Sequence, residues 1–163
     1  MSRFRHINER QMHNMLANDM GFERVDIKDC WEHVYERDVV TKSGNKFPYK
    51  VRVYTSIDRN TGRTRGCGED SIRVQLIDRV TNLPIKDGTA RRVHRTKNAL
   101  SNMRERAREV FKYAMSAPKC NTCNGIMVPR KNGTTGHKFL GCSRYNPIAV
   151  YHCDRTARLK ETA

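Results

Sequence analysis

Four of the six cysteines, Cys120, Cys123, Cys142 and Cys153, lie beyond residue 119, and the first two form a C-x-x-C pair. This spacing constrains the chain more than any other feature. Two thiolates two residues apart can bind one tetrahedral ion from a single tight turn, and so small a unit does not fold without its metal. The N-terminus has no apolar stretch after its basic residues, so the chain reads as unsecreted, and clustered thiols then favour metal over disulfides. Cys30 and Cys67 stand alone. Cys30, beside Trp31, is expected to be a small core residue, and Cys67, in a glycine-rich loop, a free thiol.

Asn124-Gly125 continues the turn of the first pair, and Ile126, Met127 and Val128 read as a short strand. The run 131–136 (KNGTTG) is a second turn, after which Lys138-Phe139-Leu140 leads into Gly141-Cys142-Ser143. The string from Cys120-x-x-Cys123-Asn124-Gly125 through Phe139-Leu140-Gly141-Cys142-Ser143-x-Tyr145 resembles the C-terminal C4 zinc ribbons of type IA DNA topoisomerases. The resemblance covers residues 118–153. It implies one zinc ion held by Cys120, Cys123, Cys142 and Cys153, and a module that binds DNA, single strands above all. In the family the last cysteine usually follows the third within a few residues, close to a Tyr-Pro pair. Here Tyr145-Asn146-Pro147 is followed by five more residues before Cys153, which leaves His152 as the alternate fourth ligand. His137 is expected to face solvent from a turn. Nothing in the chain resembles the catalytic domains of those enzymes.

Lysine and arginine number 32 against 17 acidic residues, a net charge of +15. Such an excess concerns partners rather than fold, and it fits a polyphosphate, whose condensed counterions are released on binding. No segment approaches the roughly 18 apolar residues of a membrane span, so a soluble, cytoplasmic protein is expected, of the kind a phage or bacterium uses as a small basic accessory.

The first 117 residues read as α+β. Asn8 can cap a helix over 9–20, with Ile7 and Met12 as a staple, Met12, Met15 and Leu16 as its core stripe and Gly21 as its stop. Residues 31–40 read as a mixed strand, 42–46 as a turn, 49–57 as an alternating strand, and 72–76 as a third. Thr96 can cap a second helix, in which Leu100, Met103, Ala107, Val110, Phe111 and Ala114 form the apolar stripe and the basic residues the rest. The predicted order is helix, three-stranded antiparallel sheet, basic helix, then a zinc ribbon. The expected domains are a basic α+β unit over 1–117, the ribbon over 118–155 and a basic tail over 156–163.

Candidate nucleic-acid contacts follow from charge and flexibility. Arg59, Arg63 and Arg65 lie in a glycine-rich finger. Arg91, Arg92, Arg95 and Lys97 mark the entrance of the second helix. Arg130, Lys138, Arg144 and Tyr145 lie in the ribbon, where aromatic and basic residues interleave as single-strand binding requires. The expected function is a non-enzymatic nucleic-acid-binding protein, DNA before RNA. Two alternatives stand beside it. One is a metal-dependent nuclease using the ribbon as substrate clamp, with Glu32, Glu36, Asp58, Glu69 and Asp70 as acidic candidates. The other is an adaptor whose ribbon docks on a polymerase or another protein partner in replication, repair or transcription.

Overall fold

The computed structural model describes residues 8–30, 32–41, 43–58, 60, 71–85, 91–94, 98–145 and 153–157. Among these, α1 (Glu9–His13) continues without a break as a π-helical segment (Asn14–Asp19). There follow β1 (Glu23–Val25), β2 (Glu32–Val40), β3 (Lys46–Asp58), β4 (Ser71–Asp78), β5 (Arg91–His94), α2 (Ala99–Ser116), β6 (Met127–Lys131), β7 (Lys138–Cys142) and β8 (Thr156–Ala157). Strands β1 to β5 form one antiparallel sheet in chain order, and β6 to β8 form a second, three-stranded one. The α+β reading holds, but the first sheet has five strands rather than the expected three.

Local chemistry sets both ends of the continuous helical stretch formed by α1 and the π-helical segment. The Asn8 side chain accepts from the Gln11 backbone amide at 3.1 Å, and Gly21 at φ +73 takes the left-handed turn that ends the helix. Ile7, the other half of the staple, lies outside the described residues. The β2–β3 turn closes where the sequence places it, with Thr41 donating to the Asn45 carbonyl at 2.8 Å and Gly44 at φ +86.

One face of the large sheet is covered by both helices. Tyr49, Val51 and Val53 of β3 alternate inward with Ile72, Val74 and Leu76 of β4. They meet Met12 of α1, Met15 and Leu16 of the π-helical segment and Met103, Ala107, Val110 and Ala114 of α2 in one buried cluster. Phe22 and Phe111 close its edge in a T-shaped contact at 5.9 Å. Cys30, expected in the core, is only half-buried and outside this cluster. Trp31 lies outside the described residues.

The second helix begins at Ala99 after Asn98, later than expected, and Thr96 lies outside the described residues. Arg91 and Arg92 therefore belong to edge strand β5, paired with Val74 and Arg73 of β4, and not to the helix entrance. At the other end of α2 the Lys119 ammonium caps the open carbonyls of Ala114 and Ala117 at 2.7 and 2.6 Å. The same ammonium lies over the Phe47 ring. Among the described residues no helix is long and apolar enough to cross a membrane.

Candidate metal centre

Two tight turns bring the four clustered cysteines together. In the first, Cys120 donates its amide to the Gly125 carbonyl at 2.7 Å, and Asn124 returns to the Cys120 carbonyl at 2.9 Å. Asn124 takes φ +63, a conformation asparagine tolerates better than most residues. The Gly125 amide points at the Cys123 sulfur, 3.4 Å away. A side chain at Gly125 would be tightly placed, since a Cβ there would stand 3.2 Å from the Cys142 sulfur and 3.2 Å from Arg144 Cδ. In the second turn Tyr145 donates to the Cys142 carbonyl at 3.1 Å. Cys153 enters from the last arm, its amide on the Arg144 carbonyl at 3.3 Å.

All four sulfurs lie within 4.8 Å of one another, with Cys120 to Cys153 at 3.7 Å and Cys123 to Cys142 at 3.3 Å. Four thiolates held about 2.3 Å from a zinc ion stand about 3.8 Å apart at tetrahedral angles. The cluster therefore has the dimensions to hold one metal ion, and its donor set is all sulfur. Burial pushes the Cys120 thiol up, but backbone amides of Cys123 and Thr122 and the neighbouring thiols more than reverse this and lower it to about 7. Cys142 is held well above the usual range by burial. Cys153 occupies the fourth corner, and the alternate ligand His152 lies outside the described residues.

Arg144 is not a surface cation. It is 5 % exposed, and its guanidinium forks onto Asp78 at the end of β4, Nε to Oδ2 at 2.7 Å and Nη2 to Oδ1 at 3.2 Å. Its third nitrogen meets the Cys123 carbonyl. Burial alone would lower the guanidinium's pKa, and the paired carboxylate more than reverses that. A phosphate cannot reach this group, so Arg144 leaves the set of candidate contacts and becomes a strut between sheet and ribbon. A second strut runs from the Tyr49 hydroxyl to the Asn124 carbonyl at 2.7 Å, and Ile126 and Val128 of the ribbon are buried in the core of the large sheet.

The other ribbon candidates divide. Arg130 is half-buried and lies across Gly141, where a Cβ would come within 2.6 Å of its Cδ. It donates to the Cys142 carbonyl at 3.4 Å, so it too is partly structural. Lys138 is exposed at the hairpin tip, directly opposite Lys131. Lys131 is a residue the sequence reading missed, because only the strand register reveals that opposition. Tyr145 is 46 % exposed, whereas Phe139 is half-buried. Arg59, Arg63, Arg65, Arg95, Lys97, Cys67 and Tyr151 lie outside the described residues. Of the acidic candidates with described side chains, both are taken up by cations. Glu32 is buried against Arg73 at 3.3 Å, and Glu36 holds Arg52 at 2.6 Å and Lys50 at 3.3 Å. Glu69 and Asp70 lie outside the described residues, as does the side chain of Asp58.

Comparison with protein families, with curated proteins and with solved structures finds no match. The four-cysteine centre in its three-stranded sheet therefore stands on its own geometry.

Proposed function

We propose that the protein binds nucleic acid, single-stranded DNA in preference, through a zinc-loaded ribbon carried by a basic α+β body. Cys120, Cys123, Cys142 and Cys153 would hold the ion. Four protein ligands leave no open position, so the metal would serve as a structural tie that fixes the hairpin.

The observation that carries the reading is the Lys131–Lys138 pair. Both are exposed on directly opposed positions of β6 and β7, and neither has a carboxylate partner among the described residues. Like charges facing each other across a strand pair cost stability. A phosphate chain laid over the tip removes that cost and releases its own counterions. Tyr145, exposed beside the second ligand turn, offers a face on which an unpaired base can stack. Arg91, Arg92, Arg95, Lys97 and the finger carrying Arg59, Arg63 and Arg65 would extend the contact onto the body. The net charge of +15 supports all of this.

The adaptor reading rests on a different feature. A groove of about 610 Å³ between the end of the π-helical segment, the end of β2 and the last turns of α2 exposes Val40 and Met115 beside Arg108 and Lys112.

Titration of zinc-loaded protein against single- and double-stranded DNA and RNA at two salt concentrations tests the proposal. Single-stranded DNA should bind tightest, and affinity should fall with salt by about 0.7 log units per decade for each phosphate contacted. Absence of salt-dependent binding to every polymer would overturn it in favour of the adaptor.

A further inference from the structure

We infer that the body carries a second anion site, a phosphomonoester pocket between the start of α1 and β1, lined by Asn8, Glu9, Arg10, His13 and Arg24. For the identity of one ligand, a phosphorylated strand end, the inference rests on the nucleic-acid reading. For the pocket itself it does not.

The pocket, an open depression of about 590 Å³, is lined among the described residues by polar side chains that buried groups hold from behind. His13 presents Nδ1 to the Tyr35 hydroxyl at 2.9 Å, and Tyr35 is completely buried. Burial raises the Tyr35 pKa, so the phenol keeps its proton and remains a fixed partner. With Nδ1 engaged, the ring nitrogen left for a ligand is Nε2. His33, 4 % exposed, sets Nε2 2.8 Å from Glu9 Oε1. The Arg24 guanidinium reaches both the His33 ring and the same Glu9 oxygen, the latter at 3.6 Å. One carboxylate thus draws His33 and Arg24 together, and its charge is directed at them. Arg10 is exposed and has no carboxylate partner among the described residues.

The chemistry of this wall selects its ligand. Two guanidiniums against one already paired carboxylate exclude a cation. Among the described residues, the cysteine centre alone brings three or more metal-ligating side chains within reach of one ion. Among the described residues no large apolar side chain lines the pocket, so these residues give a greasy ligand little to bury against. A phosphomonoester carries close to two negative charges and three acceptor oxygens. The wall offers Arg10, Arg24 and His13 Nε2 as donors, with the Asn8 amide beside them. An internal phosphodiester has half that charge and a sugar on each side, and fits the concavity less well.

The test uses the full-length, zinc-loaded protein. Inorganic phosphate is titrated while the His13 and Arg24 side-chain resonances are followed. In parallel, one oligonucleotide is compared with a 5′-phosphate, a 3′-phosphate and neither. Saturable shifts at His13 and Arg24 at millimolar phosphate are expected, with His137 on the ribbon unmoved. One phosphorylated end should bind about tenfold tighter than the bare strand, the yield of a charge-assisted contact. Arg10→Gln should abolish that gain with melting temperature and zinc content unchanged. Tyr35→Phe, which keeps the core filled but releases His13, should reduce it.

Phosphate shifts without discrimination between oligonucleotide ends would assign the pocket to a small phosphate ester. Phosphate shifts in a protein that binds no oligonucleotide would leave the pocket standing and remove the nucleic-acid reading. Unmoved His13 and Arg24 resonances together with equal affinity for all three strands would overturn the pocket.

Discussion

The β3–β4 pair of the body and the β6–β7 pair of the ribbon are both antiparallel, yet different forces hold them together. Tyr49, Val51 and Val53 face Ile72, Val74 and Leu76 in a layer that excludes water completely. Among the described residues, the ribbon pair's own cluster holds Met127, a half-buried Leu140 and four cysteines. A sheet with a continuous apolar face folds on burial alone, whereas a hairpin without one needs a metal. The dependence between the two regions is also unequal. Ile126 and Val128 leave the ribbon's own cluster and fill the core of the body, while the Asp78 carboxylate reaches out of the body to hold Arg144.

Metal removal tests this contrast with the largest effect. Structural zinc contributes on the order of 10 kcal/mol to units of this size, so a strong chelator should abolish hydrogen-exchange protection across β6 and β7. Because Ile126 and Val128 are shared, the melting temperature of the body should fall as well, though the body should stay folded. A body that melts identically with and without metal would mean that the two cores are independent. Elemental analysis should give one zinc per chain, and Cys30→Ser and Cys67→Ser should leave that content unchanged.

The next effect belongs to the strut. Breaking a buried ion pair by removing one partner costs about 3–5 kcal/mol, because the other charge is left without compensation. Arg144→Met and Asp78→Leu should each lower stability by about that amount in chemical denaturation, and the double variant should recover much of it. Losses for the single variants no larger than those of an exposed pair would remove the strut from the account of how ribbon and body are joined.

The strut also shows what a sequence hides. The cysteine centre was legible because its spacing is itself the geometric signal. The α1 cap and the inward alternation of β3 and β4 were legible because both are local. Strands β1, β5 and β8 have three, four and two residues, too few to display a period of two. Arg144 read as one basic residue among 32, since its partner lies 66 positions away. Lys131 was passed over because only the register of β6 on β7 sets it opposite Lys138, and the cluster of Glu9, His13, Arg24, His33 and Tyr35 exists only once α1 is packed against β1 and β2. Local patterns carried the elements and the metal ligands. Pairings between distant residues decided which cations are structural and which remain available.

Among the exposed groups of the ribbon, Tyr145 should have the larger effect on binding. Base–aromatic stacking is worth about 1–3 kcal/mol by alanine substitution, roughly a five- to hundredfold change in affinity. Tyr145→Ala should weaken single-strand binding by that factor and leave duplex binding and zinc content nearly constant, because duplex bases are already stacked on one another. Equal losses on both substrates would indicate a surface that reads phosphate alone.

The smallest effect separates the two regions most sharply, because it changes sign between stability and binding. In the body, cations exposed on the surface are commonly paired: Arg79 and Lys46 share Asp38, Arg104 meets Asp19 and Arg106 meets Glu109. At the ribbon tip Lys131 and Lys138 face each other instead. Lys131→Glu turns that opposition into an attractive cross-strand pair, which should stabilise the zinc-loaded protein by about 0.2–1 kcal/mol. If the opposition exists for a polyanion, the same change should weaken binding to single strands and flatten the salt dependence by roughly one phosphate contact. Arg106→Glu, on the outer face of α2, breaks an existing pair and should do neither. A Lys131→Glu protein that gains stability and binds as tightly as before would show that the tip is merely a poorly matched strand pair, and the nucleic-acid surface would then have to lie on the body.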